Sequence, residues 1–230
     1  MESQKITNKE KPGRRSYEDA CGAAFALDLV GERWALLVIR ELMMGPKRFG
    51  DLKADLPGIS ANVLTQRLEG LESAGVLERK RLPPPVSAQV YELTPWGYEA
   101  EPIFQALGRW AVRSPCHDPT LPLSAVSLLL SFRTMVDRDR AAGVAAKVGL
   151  KLGNESFVVT IAKGGVTAAR GAVEGTDAIL TAAPPVIAAA VYGGVPLAAL
   201  EAEGVLTIDG DRDLAETFVT LFVLPPKLEH

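Results

Sequence analysis

The chain has 230 residues, of which 47% are apolar and 23% charged, so burying a sizeable core in one large or two small domains presents no difficulty. Two cysteines are too few for a disulfide scaffold and point to a reducing cytoplasm, and no apolar run is long enough to span a membrane. The formal net charge of −3 argues against binding nucleic acid, but the distribution matters more: residues 1–115 hold 16 basic and 15 acidic side chains, residues 116–230 hold 9 and 13.

Residues 1–16 form a polar arm carrying Lys5, Lys9, Lys11, Arg14 and Arg15, expected to be mobile and lacking the apolar core of a secretory signal. Residues 17–30 read as a helix ended or kinked at Gly31. Trp34, Leu37, Val38 and Leu42 recur at helical spacing up to the stop Gly45-Pro46. A short helix over 49–56 is closed by Pro57-Gly58. Ser60 then caps a third helix that carries Leu64, Leu68 and Leu71 on one face. Residues 76–82 and 89–93 have strand character and flank Pro83-Pro84-Pro85, a stiff loop without backbone donors. Thr94-Pro95 starts a helix running to residue 112, with Ile103, Leu107, Trp110 and Ala111 on one face.

Residues 114–122 hold three prolines and read as a linker. Beyond it Ala, Gly and Val dominate. Strands are expected at 144–152, 155–161, 166–172, 177–181 and 205–208, with turns at Gly153-Asn154 and Gly164-Gly165. Short helices are expected at 185–192 and 196–202, and an amphipathic one closes the chain at 211–222. The fold class is α+β: a winged helix-turn-helix over 17–115, a linker at 116–122, an antiparallel-sheet domain over 123–226, and Leu228-Glu229-His230 within a tag remnant at 227–230.

The order helix, helix, turn, helix, basic hairpin is that of a module that reads DNA. The N-terminal part of its second motif helix enters the major groove, which assigns Ser60, Asn62, Thr65 and Gln66 to base edges or phosphates. Arg67, Lys47 and Arg48 are candidate phosphate contacts. Arg79, Lys80 and Arg81 belong to the wing, with Arg79 and Arg81 on one face of their strand and Lys80 on the other. Cys21, near the start of the first helix, is a candidate redox thiol, with Cys116 as a conceivable resolving partner. Cys116-His117 has no second ligand pair at usable spacing, and Asp209, Asp211 and Asp213 suit a turn and a helix cap rather than a calcium loop. No metal, cofactor or catalytic constellation is therefore expected.

Residues 21–113 resemble an HxlR-type regulator, a branch of the winged-helix proteins related to the MarR group. The matching stretches include Gly31-Glu32-Arg33-Trp34, Ile39-Arg40-Glu41-Leu42, Gly45-Pro46-Lys47-Arg48-Phe49, Leu64-Thr65-Gln66-Arg67-Leu68 and Tyr91-Glu92-Leu93-Thr94. The resemblance implies a homodimer joined by its N-terminal and closing helices, palindromic double-stranded operators, and in some members a sensing thiol where Cys21 stands. Residues 121–226 are similar to the sterol carrier protein type-two fold, on Val173-Glu174-Gly175-Thr176-Asp177, Val191-Tyr192-Gly193-Gly194 and the run from Ala202 to Asp211. That likeness implies an apolar small-molecule ligand between sheet and helices, with Leu128, Phe132, Phe157, Ile179, Val191, Tyr192, Leu197, Phe218 and Phe222 as candidate lining. The expectation is a cytoplasmic, non-enzymatic transcription repressor. The alternatives are a thiol sensor acting through Cys21 and a lipid carrier without a DNA role.

Overall fold

The computed structural model describes residues 16–84 and 87–229. The expected basic arm, apart from Ser16, Pro85 of the triple proline, and His230 lie outside them. The chain opens with helices α1 (Gly22–Val30), α2 (Ala35–Leu42), α3 (Phe49–Asp55) and α4 (Ala61–Ser73). The hairpin β1 (Leu77–Arg81) and β2 (Gln89–Leu93) follows, then α5 (Pro95–Tyr98) and α6 (Glu101–Ala111). Ser60 caps α4, its hydroxyl oxygen accepting the amide of Val63 at 3.2 Å. Leu64, Leu68 and Leu71 are buried against Val38, Ile39 and Leu42 of α2 and Leu52 of α3 in one apolar cluster.

Two expected helices are shorter than the apolar pattern suggests. The first begins at Gly22, because Asp28 captures the preceding segment: its carboxylate accepts the Ser16 hydroxyl and the Tyr17 amide, both at 3.0 Å. The expected helix over 95–112 breaks at Glu99–Ala100 into α5 and α6. Pro102 has no amide to give the carbonyl one turn back, so it sits in the first turn of a new helix instead.

The C-terminal half begins with a helix that the amino-acid pattern hides. Helix α7 (Ala125–Met135) buries Val126, Leu128, Leu129, Leu130, Phe132 and Met135 on several sides, so no polar stripe marks it as amphipathic. It packs against α2, α6, α9 and β5. After it come α8 (Arg138–Ala141), β3 (Ala146–Leu152), β4 (Glu155–Ala162), β5 (Gly165–Arg170) and β6 (Ala178–Ala182). Helices α9 (Pro184–Gly193) and α10 (Leu197–Ala202), strand β7 (Leu206–Gly210) and α11 (Arg212–Val219) complete the half.

The five strands lie in the order β5-β4-β3-β6-β7. Three neighbouring pairs are antiparallel, but β3 and β6 are parallel, with Leu150 opposite Leu180. The sheet is thus mixed rather than wholly antiparallel. One face carries Val148, Leu150, Phe157, Val159 and Leu180, all buried. Phe132 of α7 stacks on Phe222 with centroids 4.3 Å apart and meets Phe218 of α11 edge-on at 5.5 Å.

The wing is tied to α4 and α5 through one close approach. The Thr94 hydroxyl accepts the Gly97 amide at 3.1 Å and donates to the Gly75 carbonyl at 2.8 Å. A Cβ at Gly97 would lie 2.1 Å from the Val76 carbonyl oxygen, a backbone atom that itself accepts the Thr94 amide. Gly97→Ala is therefore expected to cost about 2 kcal/mol and to lower Tm by roughly 4–8 °C in a thermal melt. An unchanged Tm would mean that the wing is not clamped there.

Candidate nucleic-acid interface

Helices α3 and α4 form the helix-turn-helix, with buried Ile59 pinning the turn. The apolar side of α4 is locked into the core, so its other side is presented to solvent. Ser60, Ala61, Asn62, Thr65, Gln66 and Glu69 are all exposed there, concentrated in the first turns. Asn62 and Gln66 are one helical turn apart and each offers a donor and an acceptor, the pattern that suits an adenine edge. Ser60 uses its oxygen as the cap, which leaves its hydroxyl proton available for donation.

Strand register separates the wing's charges. Arg79 lies opposite Tyr91 and holds its guanidinium over that ring at 5.5 Å, while pairing with Glu72 of α4 at 2.8 Å. Lys80 sits on the other face between Glu78 and Glu92, each at 2.8 Å, and the hydrogen bonds its ammonium donates to these carboxylates raise its pKa above the usual lysine value. Among the described residues Arg48 and Arg81 make no ion pair, and both are exposed. Arg79, Lys80, Arg81, Ser87 and Gln89 border a cleft of about 400 Å³.

Two expected phosphate contacts are placed elsewhere. Lys47 is only 3% exposed and its ammonium is held by Glu41, Asp55 and Glu155, so it is not a surface cation. The pairing of Lys47 with Arg48 in the sequence suggested a joint patch, but the extended backbone there sends neighbouring side chains to opposite sides. Arg67 is half-buried: its Nε donates to the Arg33 carbonyl and its Nη2 meets Glu32, both at 3.0 Å. It holds α4 against the entry to α2. Arg33 and Lys53 are exposed cations that no spacing rule singled out, although Arg33 lies within the matched Gly31–Trp34 stretch.

Cys21 is exposed and occupies the N-cap position of α1. The backbone amides of Ala24 and Ala23, at the start of the helix, lie toward the thiol and lower its pKa below the ordinary value. Cys116 is also an exposed free thiol.

The candidate ligand side chains do not share one surface. Phe157 and Leu180 lie on the buried face of the sheet, whereas Ile179, opposite Gly149, points to the other. Ile179 is therefore excluded from a common lining. Leu128, Phe132, Phe157, Leu197 and Phe218 are wholly buried, Val191 and Phe222 nearly so, and they fill the core. Tyr192 is half-buried and its hydroxyl lies 2.7 Å from the Ser131 hydroxyl, which raises no orphaned polar group.

Helix α6 rests on α7 by one side and exposes an apolar strip on the other. Ile103, Leu107 and Trp110, the last 74% exposed, border a shallow cleft of about 500 Å³ with Pro102 and Ala106. Tyr17, Phe25 and Leu27 add exposed apolar surface around α1. The contiguous apolar area on α6 has the character of an interaction surface.

An exposed polar helix start backed by a locked apolar face, with a two-stranded wing beside it, defines a winged helix-turn-helix protein of the DNA-binding kind. The profile of the HxlR-like helix-turn-helix family matches residues 29–117. The chain belongs to that family. It is 40% identical over 86 residues to the HTH-type transcriptional regulator YodB of Bacillus subtilis (strain 168), covering 37% of this chain and 77% of that protein. It is 35% identical over 100 residues to the uncharacterized HTH-type transcriptional regulator sll1512 of Synechocystis sp., covering 42% of this chain and 74% of that protein. The solved structure of the reduced form of YodB from B. subtilis is 37% identical, covers 42% of this chain and 95% of its own, and superposes with a TM-score of 0.38.

The lowered pKa of Cys21 has a direct consequence. In a Cys116→Ser variant, the alkylation rate of Cys21 followed against pH is expected to reach half its plateau at a lower pH than that of an unstructured cysteine peptide measured alongside. A midpoint at or above that of the peptide would mean the helix-start amides do not stabilise the thiolate.

Proposed function

We propose that this chain is a cytoplasmic, homodimeric transcription repressor that binds palindromic double-stranded DNA. The observation that carries the reading is the exposed set Ser60, Asn62, Thr65 and Gln66 on the first turns of α4, presented by the buried Leu64, Leu68 and Leu71. Arg48, Arg79 and Arg81 supply the sequence-independent attraction to phosphates. Lys80, held between two carboxylates, contributes less. Regulation through a winged helix of this family is what the named relatives support.

Anisotropy titration against the chain's own upstream DNA and a scrambled duplex tests the reading. Selective binding that weakens with salt is expected. Asn62→Ala is expected to reduce the discrimination between the two duplexes by about 1–3 kcal/mol while leaving the scrambled duplex bound as before. Equal loss on both duplexes would make Asn62 a non-specific contact and would move base reading away from α4.

The apolar strip on α6, with the exposed residues around α1, supports the homodimer. Trp110→Glu is expected to shift sedimentation velocity from dimer to monomer at micromolar concentration and to weaken operator binding more than tenfold, because two half-sites are then no longer held by one particle. A variant that still sediments as a dimer contradicts this surface.

A second reading is thiol sensing through Cys21, favoured by its exposure at the helix start and its lowered pKa. For the C-terminal half we propose a sterol-carrier-like fold that stiffens the DNA-binding half. An apolar small molecule between its sheet and helices would have to displace Phe132, Phe218 or Phe222 from their mutual packing.

A further inference from the structure

Lys47, through its buried ammonium and its backbone, joins four parts of the fold. The ammonium pairs with Asp55 at the end of α3, lies 3.5 Å from Glu41 of α2, and lies 3.7 Å from Glu155 at the start of β4. The backbone of Lys47 exchanges two hydrogen bonds with Tyr91 of the wing strand β2, at 3.0 and 2.9 Å. Glu41 is wholly buried and also accepts the hydroxyl of Ser124, the N-cap of α7, at 2.8 Å and pairs with Arg40 at 2.7 Å. Glu155 pairs in turn with Arg170 at 2.5 Å. Three carboxylates therefore face three cations. Two of the contacts, Glu155 and Ser124, come from the C-terminal half, outside the matched residues 29–117.

We propose that Lys47 is a positioning residue for DNA reading, and that Glu155 makes the C-terminal half part of the device that fixes α3 and the wing. The proposal rests on the DNA-binding reading above. A buried cation persists only with its partners in place. When the charge of Glu155 is removed, Arg170 can still reach water, whereas Lys47 keeps Asp55 and Glu41, loses the one counter-charge supplied by the C-terminal half, and can replace it with water only if α3 and the adjoining segment move. That movement shifts the turn before α4 and the strand that carries the wing, so the two DNA-facing elements lose their mutual alignment.

The test uses the full chain with Glu155→Gln and two readouts. Without DNA, amide hydrogen exchange across Phe49–Asp55 and at Tyr91 is expected to quicken. With DNA, the affinity is expected to fall roughly threefold to thirtyfold at unchanged slope of log affinity against log salt. The sign is diagnostic, because loss of an acid acting only through long-range charge raises affinity for DNA. Lys47→Met is expected to lower affinity further, again at unchanged slope. If that variant does not fold, Glu155→Gln alone decides the matter. A slope shallower by about 0.9 in Lys47→Met would put Lys47 on a phosphate and overturn the proposal. Unchanged exchange in α3, or a rise in affinity with Glu155→Gln, overturns it as well. A wild-type chain that binds no DNA overturns the reading on which it rests, and that failure is told apart from the others because exchange is measured without DNA.

Discussion

A lysine ammonium taken out of water imposes the constraint around which this molecule is arranged. Lys47 is 3% exposed, and its charge is met by carboxylates from α2, α3 and β4. Removing one partner of a buried pair typically costs about 3–5 kcal/mol, because the other charge is left without water or counter-charge. The elements bearing those carboxylates therefore cannot drift independently. The segment containing Lys47 also pairs with the wing strand through its backbone, so the same constraint reaches the hairpin that flanks the recognition helix. The residues proposed to face DNA make none of these contacts. They stand on a frame whose rigidity is set behind them.

Helix α7 carries the constraint across the molecule. Ser124 at its start meets Glu41 of the network, and further along it Arg133 pairs with Glu101 of α6 at 2.9 Å. Arg109 of α6 donates to the Thr134 carbonyl of α7. One side of α6 is thus fully engaged with the C-terminal half, which leaves Ile103, Leu107 and Trp110 facing outward. The surface proposed for pairing two copies and the helix proposed to read DNA are consequently held by one buried helix. Displacement of α7 would be felt by both.

Much of the N-terminal half was legible in the sequence because its signals are local. Ser60 caps the helix that its side chain and the Leu64, Leu68, Leu71 spacing announce, and Thr94-Pro95 starts a helix where its chemistry says it should. Lys47 was misread because only packing brings Glu41 and Asp55, near in sequence but on separate helices, and the distant Glu155 around its ammonium. Arg67 was misread for the same reason, its partners Glu32 and Arg33 being brought close only by packing. Helix α7 carried no periodicity because it is buried on most sides. The break after α5 follows from Pro102, whose missing amide outweighs a continuous apolar stripe. The parallel pairing of β3 with β6 is a property of the crossover path, and with it came the placement of Ile179 on the face away from Phe157.

The most direct measurement is the structure of the full chain bound to its own upstream DNA. The account requires the start of α4 in the major groove, Asn62 and Gln66 within hydrogen-bonding distance of base edges, and Lys47 still enclosed by Glu41, Asp55 and Glu155. A complex in which Lys47 has left that enclosure for a phosphate, or in which α4 lies away from the bases, would contradict it.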